Sequence, residues 1–312
     1  MPRPDDSDPD TRRARRARSE QPHRPHLDPP LGGRIMRVER LRGDPLTASS
    51  RSADAPRDGI PAGFDPADGA RAGDAPVLLE LATAPVRRMA RIVYSSNAAF
   101  VLELDADDPT DTSRPLRAVY KPTRGERPLW DFPHRTLHFR EVATYLVSAA
   151  LGLALVPPTT LRDGPLGAGS VQLFVDVADR ELSGAEEEAL DPLLHDMAAL
   201  DVLVNNADRK RAHLLVTGDG ALRGIDHGLT FLPYPRQRTV LIDLGGTPLP
   251  EAMAARVQAL AAGPALAAMR ERLRRLLSSA EVDAFGGRVR ELAAHPTYPV
   301  LDPWDGRPFE WW

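Results

Sequence analysis

The segment Asp201–Phe231 constrains the fold more than any other part of this chain. It reads D-V-L-V-N-N-A-D-R-K-R-A-H-L-L-V-T-G-D-G-A-L-R-G-I-D-H-G-L-T-F. An apolar helix end runs into a polar loop carrying Asp208, and a short strand later runs into Asp226 and a glycine. Two acids therefore stand at the two ends of one expected β-hairpin. Such a pair suits metal-dependent phosphoryl transfer: one acid orients the attacking group, and the other holds the divalent cation that bridges the phosphates.

The chain differs in kind on either side of this hairpin. Upstream, Val77–Thr83 reads as a short helix, and Met89–Tyr94, Ala99–Leu104 and Arg117–Lys121 read as three antiparallel strands with short connections. The loop that follows Lys121 is rich in Pro, Arg and aromatics and is expected to anchor through Trp130 and Phe132. His138–Leu151 places apolar residues at Phe139, Val142, Leu146 and Ala149–Ala150, the spacing of an amphipathic helix closed by Gly152. Glu141 lies in its first turns, and Arg140 beside it reads as a surface residue. Val156–Leu161 and Ser170–Val175 flank a turn at Asp163-Gly164-Pro165, completing a sheet of about five strands that carries one helix.

Downstream the pattern turns helical. Ser183 caps a segment with acids at Glu186–Glu188, and Asp191–Val204 has an apolar face of its own. Beyond the hairpin, Pro250–Ala262, Pro264–Ser279 and Ala280–Ala294 read as three helices, the middle one strongly basic outside. The expected class is α+β and bilobal. Residues 1–75 form a disordered leader, 76–178 a sheet lobe, 179–298 a mainly helical lobe, and 299–312 a tail that wraps the helical lobe. Met36 is a second candidate start.

Composition excludes several chemistries. The chain has no cysteine, which removes disulfides, thiolate catalysis and cysteine zinc sites. A net charge of −4 over 312 residues gives no global reason to expect nucleic acid. No apolar run reaches the roughly 18 residues of a membrane span, so a cytoplasmic protein is expected. Of 40 Lys and Arg residues only two are lysines, Lys121 and Lys210. Where arginine serves as the general solvated cation, the remaining lysines mark candidate sites that need a compact ammonium.

A small sheet with a helix, then a helical half with a two-acid hairpin, is the order of parts in a protein kinase. There a strand lysine holds the phosphates, a helix glutamate fixes that lysine, a loop acid receives the acceptor proton, and an acid before x-Gly binds the metal. Lys121, Glu141, Asp208 and Asp226 occupy those places in that order. The runs N-N-A-D-R-K-R-A-H-L-L and G-I-D-H-G-L-T-F resemble the catalytic segments of phosphatidylinositol 3-/4-kinase-like proteins, especially type II phosphatidylinositol 4-kinases and HipA-like kinases. A-V-Y-K-P and R-E-V-A-T-Y-L-V resemble the same group's lysine strand and glutamate helix. The segments R-G-E-R-P-L-W-D-F-P and V-P-P-T-T-L-R-D-G-P resemble an actinobacterial family of that superfamily, over roughly residues 77 to 300.

The resemblance implies a kinase that uses ATP with Mg or Mn to phosphorylate a protein, small-molecule or lipid hydroxyl. It also implies roles for individual residues. Lys121 would hold the ATP phosphates and Glu141 would pair with it, with Ser95, Ser96 and Asn97 in the phosphate-loop turn. Gln172 and Phe174 would lead into the adenine hinge. Asp208 would be the catalytic acid, Lys210 the cation facing the γ-phosphate, and Asp226 the metal ligand. Two departures stand out. His213 occupies the place of a metal-binding Asn and becomes a second candidate metal ligand, one that suits Mn or Zn better than Mg. The phosphate-loop turn has no glycine. These leave two alternatives open, a nucleotide-binding pseudokinase without turnover and an AMP transferase on the same fold. Asp208-Arg209 as a structural ion-pair node is a further reading of the loop.

Overall fold

The computed structural model describes residues 38–40, 59–93, 97–105 and 115–309. Its main sheet has six strands in the order β1-β2-β3-β4-β6-β5. These are β1 (Val38–Arg40), β2 (Val86–Ile92), β3 (Phe100–Leu104), β4 (Leu116–Pro122), β5 (Thr159–Gly164) and β6 (Gly167–Leu173), all paired antiparallel. Period-two burial sets its two faces. Phe100, Leu102, Leu104, Ala118, Tyr120 and Val171 point one way and pack with Leu81 and Ala84 into a small core. Lys121 therefore points the other way.

Two strands begin elsewhere than the apolar pattern suggests. Pro157 and Pro158 have no N–H to give to a ladder, so β5 starts at Thr159 rather than Val156. The hairpin turn then falls between Gly164 and Gly167, and Asp163 and Gly164 stay paired instead of turning. A side chain at Gly164 would meet the Tyr120 ring 2.7 Å away, which is why this strand end tolerates only glycine. Gly169 faces a similar constraint: a Cβ there would stand 2.8 Å from Pro122 Cα, in the close β4–β6 pairing that sets the height of Lys121.

The sheet carries two helices rather than one. Helix α1 (Ala75–Thr83) covers β5 and β6 through Leu78 and Leu81, and helix α2 (Leu137–Ala150) lies against β5 and β6 and the helical half. Because it is covered from both directions, α2 is buried along nearly its whole length, including His138, Arg140 and Glu141. The expected one-sided amphipathic helix, with Arg140 on its surface, is corrected accordingly. Glu126 caps this helix at a distance, its carboxylate accepting the N–H groups of Arg135 (2.6 Å) and Leu137 (3.1 Å).

The helical half opens with α3 (Gly184–Val204), one continuous helix where two segments are expected. Ser183 and Glu186 form its capping box, and Pro192 is carried inside it at the loss of one backbone donor. Strands β7 (Leu214–Val216) and β8 (Leu222–Gly224) form the hairpin between the two aspartates. Helices α4 (Glu251–Ala261), α5 (Gly263–Arg274) and α6 (Ser279–Ala294) complete the lobe over a core that runs from Leu78 to Tyr298. No single helix among the described residues is long and apolar enough to cross a membrane.

Two peripheral segments depart from expectation. Residues 59–74, placed by sequence in a disordered leader, fold onto the body. Phe64 and Ala70 pack on the main core, and Asp68 meets Arg272 at 2.8 Å and Arg275 at 3.5 Å. The basic face of α5 is further neutralised by Arg270–Asp283 and Arg274–Glu271 pairs. The tail returns to the body through Gly306, whose carbonyl accepts from Thr239 N at 2.9 Å. Its Trp304 is 88% exposed, and Trp311 and Trp312 lie outside the described residues. Phe132 is buried as an anchor should be, but Trp130 is 86% exposed, with the Arg236 guanidinium 5.7 Å from its ring.

Candidate active site

An arginine fully removed from solvent holds the two aspartate loops together. Arg209 donates from Nε to Asp201 Oδ2 (2.8 Å) and from Nη2 to Asp201 Oδ1 (2.9 Å), and both residues are 0% exposed. The same guanidinium donates to the Ile225 carbonyl (3.1 Å) and to His227 Nε2 (2.7 Å). It therefore ties the end of α3, the Asp208 loop and the chain around Asp226 into one unit. Burial, and then Arg209, keep His227 neutral, well below the usual histidine range. Asn206 extends the unit: Nδ2 donates to Asp201 (2.9 Å) and Oδ1 accepts Asp208 N (3.0 Å). Sequence offered this node only as a competing reading of Asp208-Arg209; in the structure the node fixes the loop and leaves the Asp208 carboxylate outside it.

Asp208 turns outward, 21% exposed, with its carboxylate 2.8 Å from Lys210 Nζ. Burial raises it above the usual aspartate range, against the pull of Lys210. A carboxylate shifted this way accepts a proton more readily than an exposed aspartate does.

Across the hairpin, Asp226 adopts a left-handed backbone (φ 61°), uncommon for a residue with a side chain and a place where strain is held for geometry. Its Oδ1 is 2.9 Å from Lys121 Nζ, and Lys121 Nζ is 2.5 Å from Glu141 Oε1. Glu141 Oε2 accepts His227 N at 2.9 Å, so the helix glutamate touches both the lysine and the loop of Asp226. Burial alone would lower the Lys121 ammonium, but Asp226 and Glu141 together hold it above the usual lysine range. Lys121 in turn holds Asp226 well below the usual carboxylate range. Gly228 leaves room for α2: a Cβ there would stand 3.3 Å from Leu137 Cβ and 3.6 Å from Glu141 Oε1.

His213 lies 3.4 Å from Asp226 Oδ2 through Nε2, while its Nδ1 faces Lys210 N at 3.4 Å. Burial drops it to about 4, so it is neutral, and the Lys210 N–H fixes the tautomer with the proton on Nε2. It thus stands as a donor to Asp226 and not as the free lone pair a metal ligand needs. Among the described residues no three His, Asp or Glu side chains cluster as a metal cage. The donor set still fits Mg, which is ordinarily held by one or two carboxylates together with substrate phosphates and waters. Asp226 is an ionised carboxylate, half exposed, of the hard-oxygen kind that ion prefers.

Other candidate residues are placed less directly. Ser95 and Ser96 lie outside the described residues. Asn97 accepts Arg127 N at 2.9 Å and Ala98 N donates to Gly125 O at 3.0 Å, which stitches the β2–β3 turn to the segment after Lys121. The missing glycine of that turn has a counterpart in Gly125, where any side chain would collide with Ala98. Gln172 is buried with its amide donating to Thr159 Oγ1 (2.8 Å), so that amide is committed to the sheet. Phe174 donates its N–H to Arg117 O (2.9 Å), and its ring sits 4.4 Å from the Arg117 guanidinium.

Behind this site lies His138, 3% exposed, neither ring nitrogen of which meets a protein partner; burial lowers it to about 4. It stays neutral in the fold and titrates near 6.5 when unfolded, so the unfolded chain binds the extra proton first. Stability should therefore fall as pH drops from 6.5 to about 4, by up to about 1.4 kcal/mol per pH unit from this group. Denaturant unfolding of His138→Phe across that window should show a slope shallower by about that amount; equal slopes would exclude the contribution.

No known protein-family profile matches the chain. It is 37% identical over 269 residues to Protein Rv2133c of Mycobacterium tuberculosis (strain ATCC 25618 / H37Rv), an alignment covering 74% of this chain and 93% of that protein. Among solved structures, a hydra Fam20 determined with sugar superimposes at TM-score 0.51 and 15% identity, covering 70% of this chain and 86% of that one. The fold is thus protein-kinase-like. The Helicobacter pylori proinflammatory kinase CtkA matches at TM-score 0.36 and 12% identity over 70% and 91% of the chains, too distant to add weight.

Proposed function

The chain belongs to one family with that mycobacterial protein, and we propose that it is an ATP- and divalent-metal-dependent phosphotransferase of phosphatidylinositol 3-/4-kinase-like or HipA-like type. The observation that carries this is the Lys121 ammonium held between Glu141 (2.5 Å) and Asp226 (2.9 Å) in the mouth of the two-acid hairpin. A partly buried ammonium with one fixed carboxylate and one half-exposed carboxylate is arranged to take phosphate oxygens on its open side.

Each residue has a part in this reading. Lys121 orients the phosphates, and Glu141 keeps it from swinging to Asp226 alone. Asp226 would hold the cation, which when bound supplies neutralising charge along the phosphates. Asp208 accepts the proton of the acceptor hydroxyl as its oxygen bonds to the γ-phosphorus and the bond to ADP breaks. Lys210, 2.8 Å from Asp208, places positive charge beside the transferring group. His213, donating to Asp226 where an Asn ligand would stand, favours a second reading in which nucleotide binds without turnover.

Thermal unfolding with ATP and Mg or Mn tests the proposal. Saturating nucleotide should raise the melting temperature by roughly 5–10 °C, and Lys121→Met should remove most of that rise. A wild-type shift below about 1 °C at a large ATP excess would sink the reading. A shift without loss of the γ-phosphate would select the binding-only alternative, and intact-mass analysis would tell phosphate from AMP addition.

A further inference from the structure

Helix α2 carries the glutamate that holds Lys121, and the neighbouring Arg140 ties the same helix to the helical half. The Arg140 side chain is fully buried, with its guanidinium 5.1 Å from the Phe132 ring. It donates to the carbonyl of Thr230 and to Glu281 Oε1 in the first turn of α6. Glu281 uses its other oxygen to cap α6, accepting Ser278 N at 2.8 Å and Ser278 Oγ at 2.8 Å. One carboxylate thus starts a helix of the helical half and anchors the glutamate helix at once. Thr230 belongs to the run just after Asp226, its hydroxyl donating to His227 O at 2.8 Å, while Glu141 grips His227 N. Adjacent residues of α2 therefore seize the same short run at two points.

A buried ion pair seldom stabilises more than well-packed apolar side chains of similar volume, so it is better understood through the geometry it fixes. Apolar contacts would hold α2 near α6 but let it slide or turn, whereas a guanidinium with two directed bonds sets register and rotation. We propose that Arg140 and Glu281 are positioning residues that lock α2 onto the helical half, so that Glu141 is held against Lys121 without a separate activating event. The phosphotransfer reading enters only in saying what the Lys121–Glu141 pair is for.

With two lysines in the chain, competitive acylation read by peptide mass reports on Lys121 with Lys210 as internal reference. In Arg140→Met/Glu281→Gln, methionine keeps the helix and the glutamine keeps a capping group for Ser278. Freed from the Glu141 contact, the Lys121 amine should become more accessible to the reagent and acylate roughly tenfold faster relative to Lys210, with the fold retained. The ATP-dependent thermal shift should fall by at least about half in the same variant. An unchanged Lys121 rate in the folded variant overturns the proposal. Should the double variant fail to fold, Glu281→Gln alone, which keeps the Arg140–Thr230 bond, is expected to raise the ratio about threefold, and no rise overturns it equally. The acylation arm needs no nucleotide, so an absent wild-type ATP shift would defeat the phosphotransfer reading and leave this one to be decided.

Discussion

Asp208→Asn is expected to lower ATP turnover by about a thousandfold while leaving the melting temperature and the nucleotide-induced thermal shift close to wild type. The separation follows from geometry. Asp208 makes its side-chain contact with Lys210 at 2.8 Å, outside the buried Arg209–Asp201 unit, so the loop does not depend on its carboxylate. Asparagine keeps the size and still faces Lys210, but it cannot take a proton from the acceptor. Lys121, Glu141 and Asp226 are untouched, so nucleotide should still bind. Single-turnover measurements with matched protein concentrations read the effect. Equal rates for variant and wild type would remove Asp208 from the chemistry, whatever the nucleotide affinity.

Arg209→Met should produce the largest loss of stability. It strands Asp201 as a fully buried carboxylate with only Asn206 to donate to it, and it frees the Ile225 carbonyl and His227 Nε2. Removing one partner of a buried ion pair costs about 3–5 kcal/mol, which for a domain of this size is a fall of roughly 6–20 °C in melting temperature. Combining it with Asp201→Leu should recover much of that stability, because two apolar residues fill the site without an orphaned charge. Activity should not return with it, since the tie between the two aspartate loops stays broken. A loss under about 1 kcal/mol for Arg209→Met, by denaturant unfolding, would show that the node is not what holds these loops.

The fold class was readable because strand alternation and helical periodicity are local. Lys121 falls at a strand end and Glu141 on a helix, and no long-range knowledge is needed to say so. Buried arginines were not readable. A guanidinium at Arg140 or Arg209 gives the same letter whether it is solvated or holds four partners, and only the tertiary arrangement of α2, α6 and the hairpin decides. His213 shows the same limit at finer grain. Its position beside Asp226 is sequence-local, but its role turns on which ring nitrogen bears the proton, and the backbone N–H of Lys210 sets that. The shift of β5 and β6 had a local signal in Pro157-Pro158, which apolar content overrode. Residues 59–74 are poor in apolar residues, and their docking depends on Phe64, Ala70 and one carboxylate meeting α5 far along the chain.

That docked segment is part of the folding unit and not a dispensable leader. A truncation beginning at Ala75 would retain Lys121, Glu141, Asp208 and Asp226. It would also deprive Arg272 and Arg275 of Asp68 and uncover the apolar surface beneath Phe64 and Ala70. The cut would reach helix α2 as well, because its Tyr145 donates to Asp74 at 2.9 Å and accepts from Arg71 N at 3.2 Å. A recombinant fragment chosen by kinase-like boundaries alone would therefore be sticky and slack at the glutamate helix.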